Sequence, residues 1–318
     1  MQWPAINDQH FCYGRVFQAL DQYAFPYHTS GAGNDDGKTF GWSHNVIFTA
    51  LETPTRAIRF YTPGKAISKS TILVDKKQEL LSPKQRVYLS EKRKVFYQWL
   101  KTASPRPIIS DLENNTTLLR LDHDHSVPDF GNIFRQPAPL ENYVNQQIAA
   151  AKVKYAVGGF KEKRSVYQAE QYLASGPIRD IHLGYDIWGP VETGIYTPLE
   201  ARIHSFAYDP AEGSYGATII LEHSPLPDLT FYTLYGHLSR ASLTGLKKGQ
   251  TVPAGHALAK FGDREDNGNW PPHLHFQLVL DMLEYRGDFP GVFSEVTLED
   301  GLLLCIDPAV LVRTATMP

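Results

Sequence analysis

From about residue 176 onward the chain is a succession of short apolar runs cut by glycine and proline. IYTPLEARIHSFAYD (195–209), ATIILEH (217–223), LTFYTLYGHLS (229–239), QTVPAGHALAKFG (250–262) and HLHFQLVLD (273–281) follow one another in this way. Runs of this length, rich in β-branched and aromatic residues and separated by turn formers, predict strands packed as a compact sandwich or barrel. The last half of the chain is therefore expected to be mainly β.

The upstream half has a different texture. VIFTAL (46–51) and RAIRFYT (56–62) read as strands after the turn-rich SGAGNDDGKTFG (30–41). Ser82 as N-cap with Pro83 at the first helical position predicts a helix over 83–102, with Val87, Leu89, Val95, Phe96 and Leu100 on its apolar face. TASPRPIISDLENNTT (102–117) reads as a boundary. Leu140, Val144 and Ile148, four apart, predict a second helix over 139–156. The expected organisation is a mixed α+β N-terminal domain of unknown role over 1–115, a linker and helix over 116–160, and a functional domain over 161–318.

Among 318 residues, 31 are basic and 34 acidic, mixed along the chain to a net charge of −3. There is no basic stripe to hold nucleic acid. No apolar run reaches the ~18 residues of a membrane helix. The N-terminus shows neither a basic n-region nor an apolar h-region, which gives a cytoplasmic expectation. A removed leader or another export route would make it periplasmic or extracellular. Cys12 and Cys305 sit outside any CxxC pair, so a zinc site would have to use histidine and carboxylate. Oligomeric state is not legible.

Four of the twelve histidines, with one aspartate, form three short patterns in the β-rich half. In HLHFQLVLD a strand puts His273, His275 and Gln277 on one face and Leu274, Phe276, Leu278 and Leu280 on the other. Imidazoles two residues apart lie ~7 Å apart at Cα. One could hold a metal while the other reaches its water, or both could be polar residues on an ordinary strand. In HLGYD a straight strand would separate His182 and Asp186 by ~13 Å, too far to share a metal, so a bend is expected at Gly184. His237 stands in LYGHLSR. A further pair, His123 and His125, falls in RLDHDHSVPDF, read as loop, and His256, His204 and His223 read as surface or strand-edge residues.

The order HLGYD, YGHLS, HLHFQ resembles the H-x-G-x-D, Y-x-H-L and H-x-H segments of the lysostaphin/LytM-type zinc metallopeptidases. YTPLEARIHSF and LKKGQTVPAGHALAKFG resemble their flanking units, so the resemblance covers roughly residues 155–318. It implies a duplicated hybrid motif, a barrel-sandwich hybrid fold, in the C-terminal domain. It implies one zinc per chain held by His182, Asp186 and His275, with His237 and His273 as the catalytic pair that activates water and steadies the polarised carbonyl. It implies a metalloendopeptidase acting on peptide or peptidoglycan-fragment substrates with glycyl or D-alanyl bonds. The family's tyrosine before the first motif is missing from GPIRDI, where Arg179 is the candidate donor. The segment 157–188 also resembles a subgroup fused to aminotransferase-type and kinase-like enzymes. That leaves an intracellular zinc amidase or peptidase on a small metabolite peptide as the alternative, and a non-catalytic binding module as the third reading.

Overall fold

The computed structural model describes residues 80–121, 137–164 and 177–312, together with the backbone of four short strands nearer the N-terminus. The chain divides into two compact units, 1–76 and 77–318. The first contains β1 (Thr39–Gly41), β2 (Ile47–Ala50), β3 (Ala57–Tyr61) and β4 (Ile72–Leu73), an antiparallel sheet in sequence order. Strands β2 and β3 fall within the two runs expected there.

The second unit opens with α1 (Pro83–Leu100). Ser82 caps it as the sequence predicts: its hydroxyl accepts from Gln85 N–H, and Gln85 Oε1 accepts from Ser82 N–H. The buried stripe is Leu89, Lys92 and Phe96, whereas Val87 is 66% exposed. Val95 and Leu100 pack against the same core, so of the expected face only Val87 turns outward. Lys92 belongs to the buried stripe because its ammonium donates to Leu280 O at 2.7 Å while its stem packs. Arg93 adds bonds to the carbonyls of Leu302 and Cys305. The sequence reading put the boundary near 115, while the compact units divide at 76 and α1 packs inside the second.

Next come β5 (Thr116–Leu118), α2 (Pro137–Ala151), β6 (Tyr155–Gly158) and β7 (Glu162–Lys163). The second helix ends sooner than expected: Lys152 takes φ 56°, which stops it, and Tyr155 onward is strand.

The β-rich region supplies β8 (Ile181–His182), β9 (Tyr185–Trp188), β10 (Gly194–Tyr196), β11 (Ala201–Asp209), β12 (Gly216–Leu226) and β13 (Leu229–Leu238). It continues with β14 (Thr251–Val252), β15 (Ala257–Lys260), β16 (His273–Val279) and β17 (Val292–Phe293). The short helix α3 (Leu298–Leu304) and β18 (Cys305–Ile306) complete it. The described residues are mostly β sheet, with three α-helices. No helix among them is long and apolar enough to cross a membrane.

A large sheet runs β14-β11-β12-β13-β16-β9-β6-β5, with β18 also on β16. A small one runs β17-β8-β7. Strand β16 alternates as expected: Leu274, Phe276, Leu278 and Leu280 are wholly buried in the main core, beside Phe231, Leu234 and Tyr235. Its other face carries His273, His275 and Gln277, all buried.

Candidate metal centre

Antiparallel pairing of β16 with β9 sets His275 directly opposite Asp186. The chain turns at Leu183–Gly184 between β8 and β9, which returns His182 to the same spot. The bend was expected there on grounds of backbone freedom. The space around it adds a second reason: a Cβ on Gly184 would overlap the His275 imidazole. Glycine admits the ring.

Three ligand atoms converge. His182 Nε2 lies 2.9 Å from His275 Nδ1 and 3.4 Å from Asp186 Oδ1, and His275 Nδ1 is 3.2 Å from Asp186 Oδ1. Zinc with bonds of ~2.0–2.1 Å in tetrahedral geometry separates its ligand atoms by about 3.3 Å. The triangle has the size of one face of that tetrahedron, and its donors, two imidazoles and a carboxylate, leave the fourth corner open. All three side chains are buried. The residues present fit zinc.

Each ring is oriented by an acceptor on its far side. His182 Nδ1 lies 2.8 Å from Gly159 O, and a carbonyl only accepts, so this nitrogen carries the hydrogen and Nε2 faces the triangle bare. His275 does the reverse: Nε2 is 3.1 Å from Gln277 Oε1. The Gln277 amide is turned by donating to Pro290 O at 3.0 Å. Nδ1 of His275 is left for the triangle.

Burial opposes ionisation of Asp186, yet the neighbouring His182 imidazole and Arg164 guanidinium overcome it and hold the carboxyl well below its usual range. Burial and the Arg164 charge push His182 down.

His237 and His273 stand beside the triangle, their rings 4.2 Å apart. Their Nδ1 atoms donate to Asn267 O at 2.8 Å and Pro271 O at 2.7 Å. In both, Nε2 keeps its lone pair. Burial pushes His273 down to about 4 and His237 well below the ordinary imidazole value. Burial thus keeps both rings unprotonated, ready to accept.

His237 is also strained. Its φ is 62°, in the left-handed region. Pairing of β12 with β13 jumps from Ile219↔Tyr235 to Ala217↔Leu238, so β13 carries one extra residue there. This bulge turns the histidine toward the site. Bonds from His237 N to Tyr215 O and from Gly262 N to His237 O hold it.

The five sequence-selected positions thus meet in one place. Together with Arg179, which is exposed, they line a cavity of about 300 Å³. His123 and His125 lie outside the described residues. His256 is an exposed turn residue, as expected. His204 is half-buried, bonded to Ser205 and Arg286. His223 was read as a strand-edge residue but is 1% exposed, stacked on Phe231.

Sequence reasoning missed Tyr215 and Arg164, both in the cavity wall. The Tyr215 hydroxyl donates to Phe289 O at 3.2 Å and lies 3.3 Å from His275 Nε2. It therefore braces the ring from the side opposite the ligand atom. Neither residue announces itself: Tyr215 opens a strand, and Arg164 ends the charged run KEKR.

Residues 180–284, which hold all five positions, match the model described as Peptidase family M23. Over that segment, about a third of its length, the chain is similar to this family. Among solved structures, a zinc-containing peptidase from Vibrio cholerae is 27% identical over 31% of this chain and 27% of its own, with a TM-score of 0.25. The chain thus spans about a quarter of that peptidase's length. The catalytic domain of the antimicrobial peptidase lysostaphin from Staphylococcus simulans is 19% identical, covering 53% of this chain and 94% of its own, at a TM-score of 0.33. A variant catalytic domain of the prophage-encoded M23 protein EnpA from Enterococcus faecalis is 18% identical over 49% and 89%, at 0.31. No curated protein matches the chain.

Proposed function

We propose that this chain is a zinc-dependent peptidase hydrolysing short glycyl or D-alanyl peptides such as those of peptidoglycan, with residues 161–318 as its peptidase domain in a duplicated hybrid architecture. The observation that carries the reading is the His182–Asp186–His275 triangle at tetrahedral spacing, with two unprotonated imidazoles beside it. A zinc ion held there supplies Lewis acidity, polarising the scissile carbonyl and easing deprotonation of water.

The chain's own groups do the rest. His237 and His273 present Nε2 lone pairs to the cavity, so they take the proton of the attacking water and return it to the leaving amine. Arg179, on the cavity wall, is a donor for the charge that develops on the carbonyl oxygen. Tyr215 and Gln277 keep His275 in place.

Protein purified without added zinc is expected to hold about one zinc per chain, and His275→Ala to lose it. Stoichiometric zinc retained in that variant removes the ligand assignment. Incubation with purified sacculi and with glycyl and D-amino-acid peptides reads the substrate. Cleavage of free small peptides alone favours the small-metabolite amidase, and a zinc-loaded protein that cuts nothing favours a binding module.

A further inference from the structure

We propose that the strap of residues 159–164 is the outer half of the metal site, with Arg164 as a positioning residue for Asp186 and Glu162 as its charge partner. The inference rests on the zinc reading of the triangle. It concerns residues upstream of the matched segment 180–284.

Two pairings lay the strap across both strands of the first motif. Strand β6 pairs with β9, setting Gly158 against Asp186, and β7 pairs with β8, setting Glu162 against His182. Between them Gly159 offers the carbonyl that orients His182. Arg164 Nη1 then donates to Asp186 Oδ2 at 2.7 Å, and Nε donates to Glu162 Oε2 at 2.7 Å. Glu162 Oε1 accepts from Leu121 N–H at 2.6 Å, which ties the strap to the strand-end before it. Both side chains are buried, at 4% and 7% exposure.

The geometry divides the work of the Asp186 carboxylate. Arg164 occupies Oδ2, and Oδ1 is the oxygen that stands within 3.4 Å of both imidazole nitrogens. A planar guanidinium bridging two carboxylates fixes the plane of each, which a point-like ammonium does not. Charge explains the glutamate. A lone guanidinium beside a dication site would repel the metal, and Glu162 cancels it. A buried ion pair serving the fold alone has no need to end on a metal ligand. This one does.

Zinc dissociation constants by chelator competition, and visible spectra of the cobalt(II)-loaded protein, test the assignment. The variants are Arg164→Lys and the double variant Glu162→Gln/Arg164→Met, which removes one charge of each sign and so keeps the net charge of the site; circular dichroism checks folding. Both are expected to bind zinc about 10–100-fold more weakly than the parent. Their cobalt bands should shift as the carboxylate loses its fixed plane, a change that a purely structural role would not produce. Zinc binding within about threefold of the parent and an unchanged cobalt spectrum, in either folded variant, overturn the inference. If the parent itself binds no zinc, the triangle reading falls first and carries this one with it.

Discussion

A missing side chain at position 184 shapes this site as much as the ones present. The His275 imidazole fills the space where a Cβ would stand, so Gly184→Ala must displace the ring or the turn. Expected is a loss of zinc affinity at least as large as that of an outer-shell substitution, about 10–100-fold, read by chelator competition. Unchanged affinity would show that the ring moves freely. At this scale the sequence was most legible where spacing maps onto a strand: His273 and His275 share a face through alternation alone. The H-x-G-x-D pattern was legible as a bend, but the reason for glycine there was not, because His275 lies far away in sequence. Arg164 and Tyr215 act across the same kind of distance. Nothing local separates Arg164 from the solvated lysines before it.

Among elements, α1 shows both what a pattern reveals and where it stops. Ser82 and Pro83 marked its start because capping chemistry is local. Its buried face differs from the apolar pattern in losing Val87 and gaining Lys92, which reaches a carbonyl 188 residues away. Phe96 sits at the centre of that face, wholly buried, with its ring 5.0 Å from Phe231 in an edge-to-face contact. Phe96→Ala is expected to lower the unfolding free energy by about 3–5 kcal/mol in urea titrations. Zinc per folded chain should stay unchanged, since the cavity wall does not include this ring. The bulge at His237 belongs to this scale too. A run of ten strand-forming residues gives no sign of which one will be extruded; the register of β12 decides it.

For the molecule as a whole, buried histidines couple folding to acidity. Burial pushes His223 down to about 4, partly offset by its bond to Glu200 O. An unfolded histidine titrates near 6.5. Between those values the unfolded chain binds the proton and the native chain does not, so stability rises with pH. It is fully present above about 6.5 and is lost as pH falls toward 4, at up to about 1.4 kcal/mol per pH unit. Urea unfolding measured across that window should show His223→Gln reducing the slope by about one proton. An unaltered slope would place the acid sensitivity elsewhere. The mainly β character of this unit was legible from its punctuated apolar runs, but the joining of α1 to it was not, because its partners, Phe231 and the carbonyls of Leu280, Leu302 and Cys305, are distant in sequence.

The facing of Asp186 and His275 across β9 and β16 also orders events in time. These two ligands are 89 residues apart and meet only when that register forms. A ribosome must therefore have made β16, and the strand must have docked, before the nascent chain can assemble the complete triangle. Until then its histidines are ordinary ones.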